Sequence, residues 1–207
     1  MAINLAKGQG IDLRRDVYDL NAITVGLGWK MRELPSGQSA DADADFDLDA
    51  IAFLMDEHDK VRNLGDSKLV GGDVVFFNSR RHPSGTVTHS GDSVTGGTGT
   101  DDDEQIVVRL NSVPSEYFRI LFAVTIYQGI KRGQHFGQLE SAYIRALDGS
   151  GKEMARYSLD SDTTCDGQRA VVFGDVCRRG NGWNFRALGE AYPYDSFVHL
   201  PKNHLPY

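Results

Sequence analysis

Two acidic stretches contain the side chains of this sequence that are best suited to chemistry. In the first, residues 41–49, three carboxylates (Asp45, Asp47 and Asp49) alternate with Phe46 and Leu48. Side chains of a strand alternate between its two faces, so this spacing puts the carboxylates on one face and the apolar groups on the other. Like charges repel, and a hard, oxygen-ligated cation such as calcium would remove the repulsion. The spacing predicts an ordered strand with a cation-binding face.

The second acidic stretch, residues 91–104, is a glycine-rich loop that opens at Asp92 and closes on Asp102, Asp103 and Glu104. Glycines let the chain curl, and terminal carboxylates supply charge, as in the EF-hand calcium loop. Asp92 to Glu104 spans 13 positions without flanking helix patterns, so the loop is not an EF-hand. We expect both stretches to line one cation site or two adjacent ones. A solvated acidic run and a mobile linker are the alternative interpretation.

Nitrogen ligands are present near both stretches. His58 follows the first and His89 precedes the second. Imidazole ligands would shift the preference toward zinc, nickel or copper. Their spacing matches no zinc motif, so calcium remains the favoured ion.

The composition restricts the classes of protein that are compatible with the sequence. Of 29 acidic residues, 22 are Asp and 7 are Glu, against 22 basic residues, for a net charge of −7. Asp is unfavourable on helices, and an acidic chain lacks the basic footprint that net-charge-driven nucleic-acid binding needs. No apolar run approaches a membrane span of about 18 residues, and no signal-peptide pattern opens the chain. With two cysteines, Cys165 and Cys177, we expect a reduced, cytoplasmic protein.

The elements that must position the acids are short and strand-like. Apolar segments that alternate with polar residues and are separated by Gly, Asn and Asp predict an all-β fold, a two-sheet β-sandwich with few short helices. A hairpin turn is predicted at Asn181-Gly182. We assign residues 1–192 to the sandwich domain and residues 193–207 to a Pro- and Tyr-containing tail. The tail is expected to be an extended segment laid over the body, or partly disordered.

Several motifs together resemble the TerD family of tellurium-resistance and stress-response proteins. The sequence of residues 45–54 matches the family's acidic strand, and residues 87–92 lead into its glycine-rich loop. Further matching motifs are residues 3–9, 25–29, 136–138, 142–145, 173–176 and 183–189. The resemblance covers roughly residues 1–192. The tail lies outside it and indicates a TerX-like or TerZ-like member.

The resemblance implies a β-sandwich that binds calcium, as two ions, through both acidic stretches. The implied ligands are Asp45, Asp47, Asp49, Asp92, Asp102, Asp103 and Glu104, with loop carbonyls of residues 95–99. It also implies a non-enzymatic module of a bacterial tellurite-resistance and stress-response system, a scaffold or sensor whose acidic strand and loop are ordered by the cation. The implied partners are other proteins of that system, in a peripheral complex at the inner membrane.

An enzymatic alternative uses the same carboxylates. Two cations on clustered acids could clamp the transition state of phosphoester or phosphoanhydride hydrolysis. A basic patch facing the acids would favour this hydrolase, and Arg80-Arg81 is the nearest candidate. No nucleophile, phosphate-loop or dinucleotide motif occurs in the chain. We therefore predict that the protein is not an enzyme.

Overall fold

The structure is a computed structural model that describes residues 2–31, 46–91, 102–159 and 165–203. Strands account for most of the regular structure in these ranges. In chain order they are β1 (Ile3–Asn4), β2 (Gly10–Leu13), β3 (Ile23–Met31), β4 (Leu48–Met55), β5 (Val74–Val75), β6 (Val87–His89), β7 (Glu104–Val108), β8 (Arg119–Ile126), β9 (Leu139–Leu147), β10 (Glu153–Ser158), β11 (Ala170–Arg179) and β12 (Gly182–Tyr192). A single-turn helix, α1 (Gly129–Arg132), and 3-10 turns at Leu110–Ser112, Phe136–Gln138 and Phe197–Asn203 complete them.

These strands form two six-stranded sheets packed face to face. Sheet A has the order β1-β10-β9-β3-β7-β6, and sheet B has the order β2-β12-β11-β8-β4-β5. Neighbouring strands are antiparallel except for β1 and β10, which are parallel. The predicted two-sheet sandwich with few short helices is therefore confirmed.

The core lies between the sheets because each strand turns one alternate row of apolar side chains inward. In β4, Leu48, Ala50, Ala52 and Leu54 belong to this inner cluster, together with Trp29 of β3. The outward row of β4 is apolar as well, and it belongs to a second cluster on the outer face of sheet B. Strand β4 is consequently buried on both faces, which explains its nearly continuous apolar sequence.

The second apolar cluster covers the outer face of sheet B. Segments that follow β4 and the C-terminal segment both contribute to it. The ring of Phe197 lies 5.0 Å from that of Phe76, Tyr194 stacks on Tyr192 at 5.3 Å, and Leu200 is only 5% exposed. The C-terminal segment thus lies over the body, with a 3-10 turn at Phe197–Asn203 where we expected extended chain.

The β11–β12 hairpin is present, but its turn lies one residue earlier than predicted. Arg179 pairs with Gly182, so the two turn residues are Gly180 and Asn181. Gly180 has a φ of 55°, a backbone conformation that glycine adopts without a steric penalty. The prediction of a turn at Asn181-Gly182 was therefore wrong by one residue.

None of the helices in the described ranges has the length and apolarity needed to cross a bilayer.

Candidate cation site

The first acidic stretch leads into β4, but the strand begins only at Leu48. Asp49 therefore lies in the strand, whereas Asp47 precedes it, and the prediction of a strand that includes Asp47 was wrong. Phe46 and Leu48 point into the inner core, whereas Asp49 belongs to the opposite row, next to Ile51. Asp49 is only 6% exposed and pairs across the sheet with Thr125 of β8. The backbone of Asp47 is fixed as well, because its carbonyl accepts the N–H of Tyr127 at 2.8 Å. Asp45 lies outside the described residues.

Glu104 opens β7 and reaches from sheet A to sheet B. It pairs with Leu27 on β3, and its side chain is fully buried between the sheets. There its Oε2 accepts the backbone N–H of Ala50 at 2.6 Å. The end of the second acidic stretch therefore contacts the strand that continues the first, at the residue after Asp49.

His89 of β6 completes this contact with the edge of β4. Its Nε2 lies 3.1 Å from the carbonyl oxygen of Ala50 and 3.5 Å from Oε2 of Glu104. The N–H of Gly91 donates to Nδ1 at 3.0 Å, so Nδ1 is unprotonated and Nε2 carries the proton that it donates. Strand β5 pairs with β4 at Ala52 and Phe53. At Ala50, the backbone N–H and carbonyl are bonded by the side chains of Glu104 and His89 instead of by a neighbouring strand.

Asp103 is hydrogen-bonded to β3 of sheet A. Its N–H donates to the carbonyl of Leu27 at 2.8 Å, and its Oδ2 accepts the N–H of Trp29 at 3.0 Å. Both acceptor and donor lie on β3, in sheet A. Asp103 and Glu104 therefore fix the end of the acidic loop to β3 and β4 respectively.

Asp102 occupies a site built from three donors. Its fully buried carboxylate accepts hydrogen bonds from Arg145 Nε at 2.7 Å, from the Tyr143 hydroxyl at 3.1 Å and from Gln105 Nε2 at 3.1 Å. Hydrogen bonding to Asp102 raises the pKa of Arg145. Burial, with a smaller contribution from the charge of Asp102, raises the pKa of Tyr143 to about 12. The protein itself thus compensates the charge of this carboxylate.

Two glycines of β3 make room for this cluster. A Cβ on Gly26 would lie 2.1 Å from Oδ2 of Asp102, and one on Gly28 would lie 2.4 Å from the ring of Tyr143. Sequence reasoning missed this role, and it also missed the pairing of Asp102 with Arg145. The available signal was the pair of glycines in an otherwise apolar strand, since glycine inside a strand often marks a close approach by another group.

The described carboxylates have the right chemistry for a hard cation but do not by themselves complete a ligand shell. Within residues 2–31, 46–91, 102–159 and 165–203, no three His, Cys, Asp or Glu side chains form a group that could hold a metal ion. Asp92 and the predicted carbonyl ligands of residues 95–99 lie outside these ranges. Among the described residues, the contact that joins the two acidic stretches is the hydrogen bond from the N–H of Ala50 to Glu104.

The environment of Cys177 is unfavourable for thiol reactivity. Neither Cys165 nor Cys177 is part of a disulfide, and Cys165 is buried. Burial, followed by the charge of Asp175, raises the pKa of the Cys177 thiol. Because the thiolate is the nucleophilic form, this environment disfavours redox or nucleophilic chemistry at Cys177.

The chain is similar in sequence to several resistance and stress proteins. The TerD domain model matches residues 1–203. Tellurium resistance protein TerX of Serratia marcescens is 44% identical over 99% of this chain and 100% of its own length. General stress protein 16U of Bacillus subtilis is 35% identical over 93% of this chain and 92% of its own length. The crystal structure of a homologue of telluride resistance protein TerD from Streptomyces coelicolor has the same fold, with a TM-score of 0.63 at 20% identity, covering 90% of this chain and 99% of that one.

Proposed function

The chain belongs to the TerD domain family of tellurium-resistance and stress-response proteins, and we propose that it acts there as a calcium-binding, non-enzymatic module. The family expected from the sequence motifs is confirmed. The names of the similar proteins describe resistance and stress response and not a catalysed reaction. The proposal concerns what the family leaves open, namely the ion, its ligands and the action of the protein.

The hydrogen bond between Glu104 and Ala50 is the observation on which the proposal rests. The two acidic stretches are separated by some forty residues of chain, and this contact brings them together at the start of β4. Asp49 immediately precedes Ala50, but its side chain belongs to the opposite row of β4, whereas the Glu104 carboxylate lies between the sheets. The contact therefore joins the two acidic stretches through the backbone of β4. Asp49 and Glu104 are both buried, and burying a carboxylate is costly unless hydrogen bonds or positive charge compensate it. A divalent cation would supply such charge.

The proposed ligands of two calcium ions are Asp45, Asp47, Asp49, Asp92, Asp103 and Glu104. We assign Asp102, the remaining acid of the predicted set, to a supporting role because Arg145 and Tyr143 already bind its carboxylate. Calcium would neutralise the acids and bridge the two stretches. Asp102 and Asp103 bind the end of the loop to sheet A, and Glu104 binds it to β4 of sheet B. A shift of the loop end would therefore move its contacts with both sheets.

The proposed action follows from this anchoring. A protein whose ion-binding end is connected to both sheets can present one surface with the ion bound and another without it, which is the behaviour of a sensor or scaffold. Its proposed partners are other proteins of the resistance system, in a peripheral inner-membrane complex, and its proposed location is the cytoplasm.

Titration of chelator-treated full-length protein with calcium chloride in a calorimeter tests the proposal. Glu104→Gln is the sharpest variant, because the amide oxygen still accepts the Ala50 N–H while the charge is removed. We expect saturable binding by the unaltered protein and a roughly tenfold or greater loss of affinity in Glu104→Gln and Asp47→Asn, since charge count sets calcium affinity. Asp16→Asn, at an aspartate with a side chain that is 73% exposed, is the matched control and should bind normally.

Absence of saturable calcium binding by the full chain would overturn the proposal. Its non-enzymatic part has a separate test, in which the same protein is incubated with p-nitrophenyl phosphate or ATP and divalent metal. Metal-dependent turnover that disappears in Asp47→Ala would establish the hydrolase instead. Turnover no greater than that of the buffer would support a binding module.

A further inference from the structure

Arginine side chains line an open groove at the end of sheet B where β2 finishes and β11 turns into β12. The groove has a volume of about 430 Å³. Its lining includes Arg14, Arg15, Arg179, Asn181, Trp183 and Asp12. This volume is within the range of about 300–1,000 Å³ that is usual for small-molecule sites.

Strand register brings the arginines together from distant parts of the chain. Leu13, the last residue of β2, pairs with Trp183, while Arg179 pairs with Gly182 across the hairpin. Arg14 and Arg15 follow Leu13 directly and therefore lie beside the hairpin. The turn that they begin is closed by hydrogen bonds from the N–H groups of Val17 and Tyr18 to the carbonyl of Arg14, at 3.1 and 3.0 Å.

The guanidinium groups of the groove are only partly balanced by carboxylates. Among the residues that the structure describes, the side chains of Arg15 and Arg179 make no hydrogen bond or ion pair. Arg14 has one long contact, 3.8 Å to the exposed Asp16. The carboxylate of Asp12 accepts a hydrogen bond from Asn184 at 2.9 Å. The groove therefore has an excess of positive charge in a chain with a net charge of −7.

Arginines on the faces of the two sheets behave differently. Arg145 bonds to Asp102, and both Arg119 and Arg186 bond to Asp175. The groove instead brings together Arg15 and Arg179, which have no such partner among the described residues, and Arg14, which has only the long contact with Asp16. Like charges held close together repel one another, and an anion bound between them would relieve this repulsion.

A fourth arginine makes the wall of the groove rigid. The guanidinium of Arg178 lies 4.4 Å from the ring centroid of Trp183 and donates to the carbonyls of Tyr117 and Val113, both at 2.8 Å. Trp183 itself is only 5% exposed. The tryptophan is therefore part of a fixed wall and not an open stacking platform, so recognition in this groove relies on charge.

We propose that this groove binds an anion carrying two or more phosphate groups. Guanidinium is planar, remains charged and donates two parallel hydrogen bonds to phosphate oxygens, so a set of arginines favours phosphate over a simple halide. Three of them around one groove match a ligand with several adjacent anionic groups. The site is formed at the β2–β12 edge of sheet B, whereas the candidate cation site lies at β4, near the other edge. The proposal is therefore independent of calcium binding.

Calorimetric titration of the metal-stripped full chain with sodium pyrophosphate, at low ionic strength and without divalent ions, tests the proposal. The matched arms are inorganic phosphate and ATP. We expect saturable pyrophosphate binding, weaker binding of phosphate, and a roughly tenfold or greater loss of pyrophosphate affinity in Arg15→Ala/Arg179→Ala, because each removed arginine takes charge-assisted hydrogen bonds with it. ATP binding that is also lost in the double variant would extend the ligand class to nucleotides.

Arg81→Ala is the control for non-specific attraction. Arg81 is exposed, makes no side-chain hydrogen bond or ion pair within the described ranges, and lies beside β6 at the opposite edge of the sandwich. Its removal should leave the pyrophosphate affinity within about twofold of the original value, since distant surface charges are screened. Equal losses in Arg81→Ala and the double variant would overturn the proposal, as would an unchanged affinity in the double variant or no saturable binding by the unaltered protein.

Discussion

Replacing Gly26 by alanine tests whether the acidic loop end is locked onto sheet A. An alanine Cβ at this position would lie 2.1 Å from Oδ2 and 2.6 Å from Oδ1 of Asp102. Non-bonded carbon and oxygen atoms need more than 3 Å, so the carboxylate must move by about an ångström. The backbone at Gly26 has no positive φ, and the conformation itself is therefore compatible with alanine.

The expected cost of Gly26→Ala comes from two sources. Overpacking in a rigid interior costs about 1–3 kcal/mol. The displaced carboxylate would also weaken its hydrogen bonds to Arg145 and Tyr143, and bonds to a charged group contribute about 1.5–3 kcal/mol each. Since the carboxylate can shift partway without losing every bond, we expect a loss of about 2–4 kcal/mol in the free energy of unfolding, measured by urea denaturation.

Gly182→Ala is the matched control, because it is also a strand glycine without positive φ. The nearest heavy atoms to its added Cβ would be at 3.8 and 4.0 Å, which is ordinary contact distance. We expect no loss of stability there and a gain of up to about 1 kcal/mol, because alanine has less backbone freedom to lose.

A double-variant cycle decides whether Asp102 causes the effect. In an Asp102→Ala background the carboxylate is gone, so Gly26→Ala should become nearly neutral, with a coupling of about 2 kcal/mol or more. An equal cost of Gly26→Ala in both backgrounds would refute the reasoning. A Gly26→Ala protein as stable as the original would refute it directly.

Two further predictions concern other charged and titrating groups. Asp175→Ala should lower the free energy of unfolding by about 3–5 kcal/mol in urea denaturation, because the fully buried carboxylate bonds to both Arg119 and Arg186; a loss below about 1 kcal/mol would contradict a structural role for this group. Burial and Asp102 raise the pKa of Tyr143 from 10.0 to about 12. In an alkaline titration followed by absorbance, the Tyr143→Phe variant should therefore lack the ionisation of one phenol near pH 12. The fold favours the neutral phenol, so its contribution to stability is complete below pH 10 and is lost as the pH rises toward 12.

The sequence by itself determined the all-β class of the fold and the inward-facing apolar rows of its strands. The period-two pattern of residues 46–49 assigned Phe46 and Leu48 to one face and Asp47 and Asp49 to the other. The structure places Phe46 and Leu48 in the inner core, but β4 begins only at Leu48, so the alternation of a strand applies to Leu48 and Asp49 and not to Asp47. Such a pattern depends only on the pleat of one strand, which is a local property. The motifs of the TerD family were equally readable, because they are contiguous stretches of chain.

Local reasoning was less accurate where two similar solutions compete. The Asn181-Gly182 pair predicted the β11–β12 hairpin, but the pairing of Arg179 with Gly182 moved the turn to Gly180 and Asn181. Glycines flank Asn181 on both sides, so either could have supplied the positive φ that the turn requires. The choice between them is made by the register of β11 against β12 and β8, which is fixed by the core.

Only the tertiary structure decided what each acidic side chain contacts. Asp102 meets Arg145 across 43 positions of sequence, and Glu104 meets Ala50 across 54. The sequence identified these acids as a group of equivalent oxygen ligands. Packing of the two sheets gives these acids different roles. Asp102 is buried beside Arg145 and forms an ion pair with it, whereas Glu104 lies beside β4 and accepts the backbone N–H of Ala50. The partner of a charged group depends on which distant strand lies beside it, and residue spacing along the chain does not contain that information.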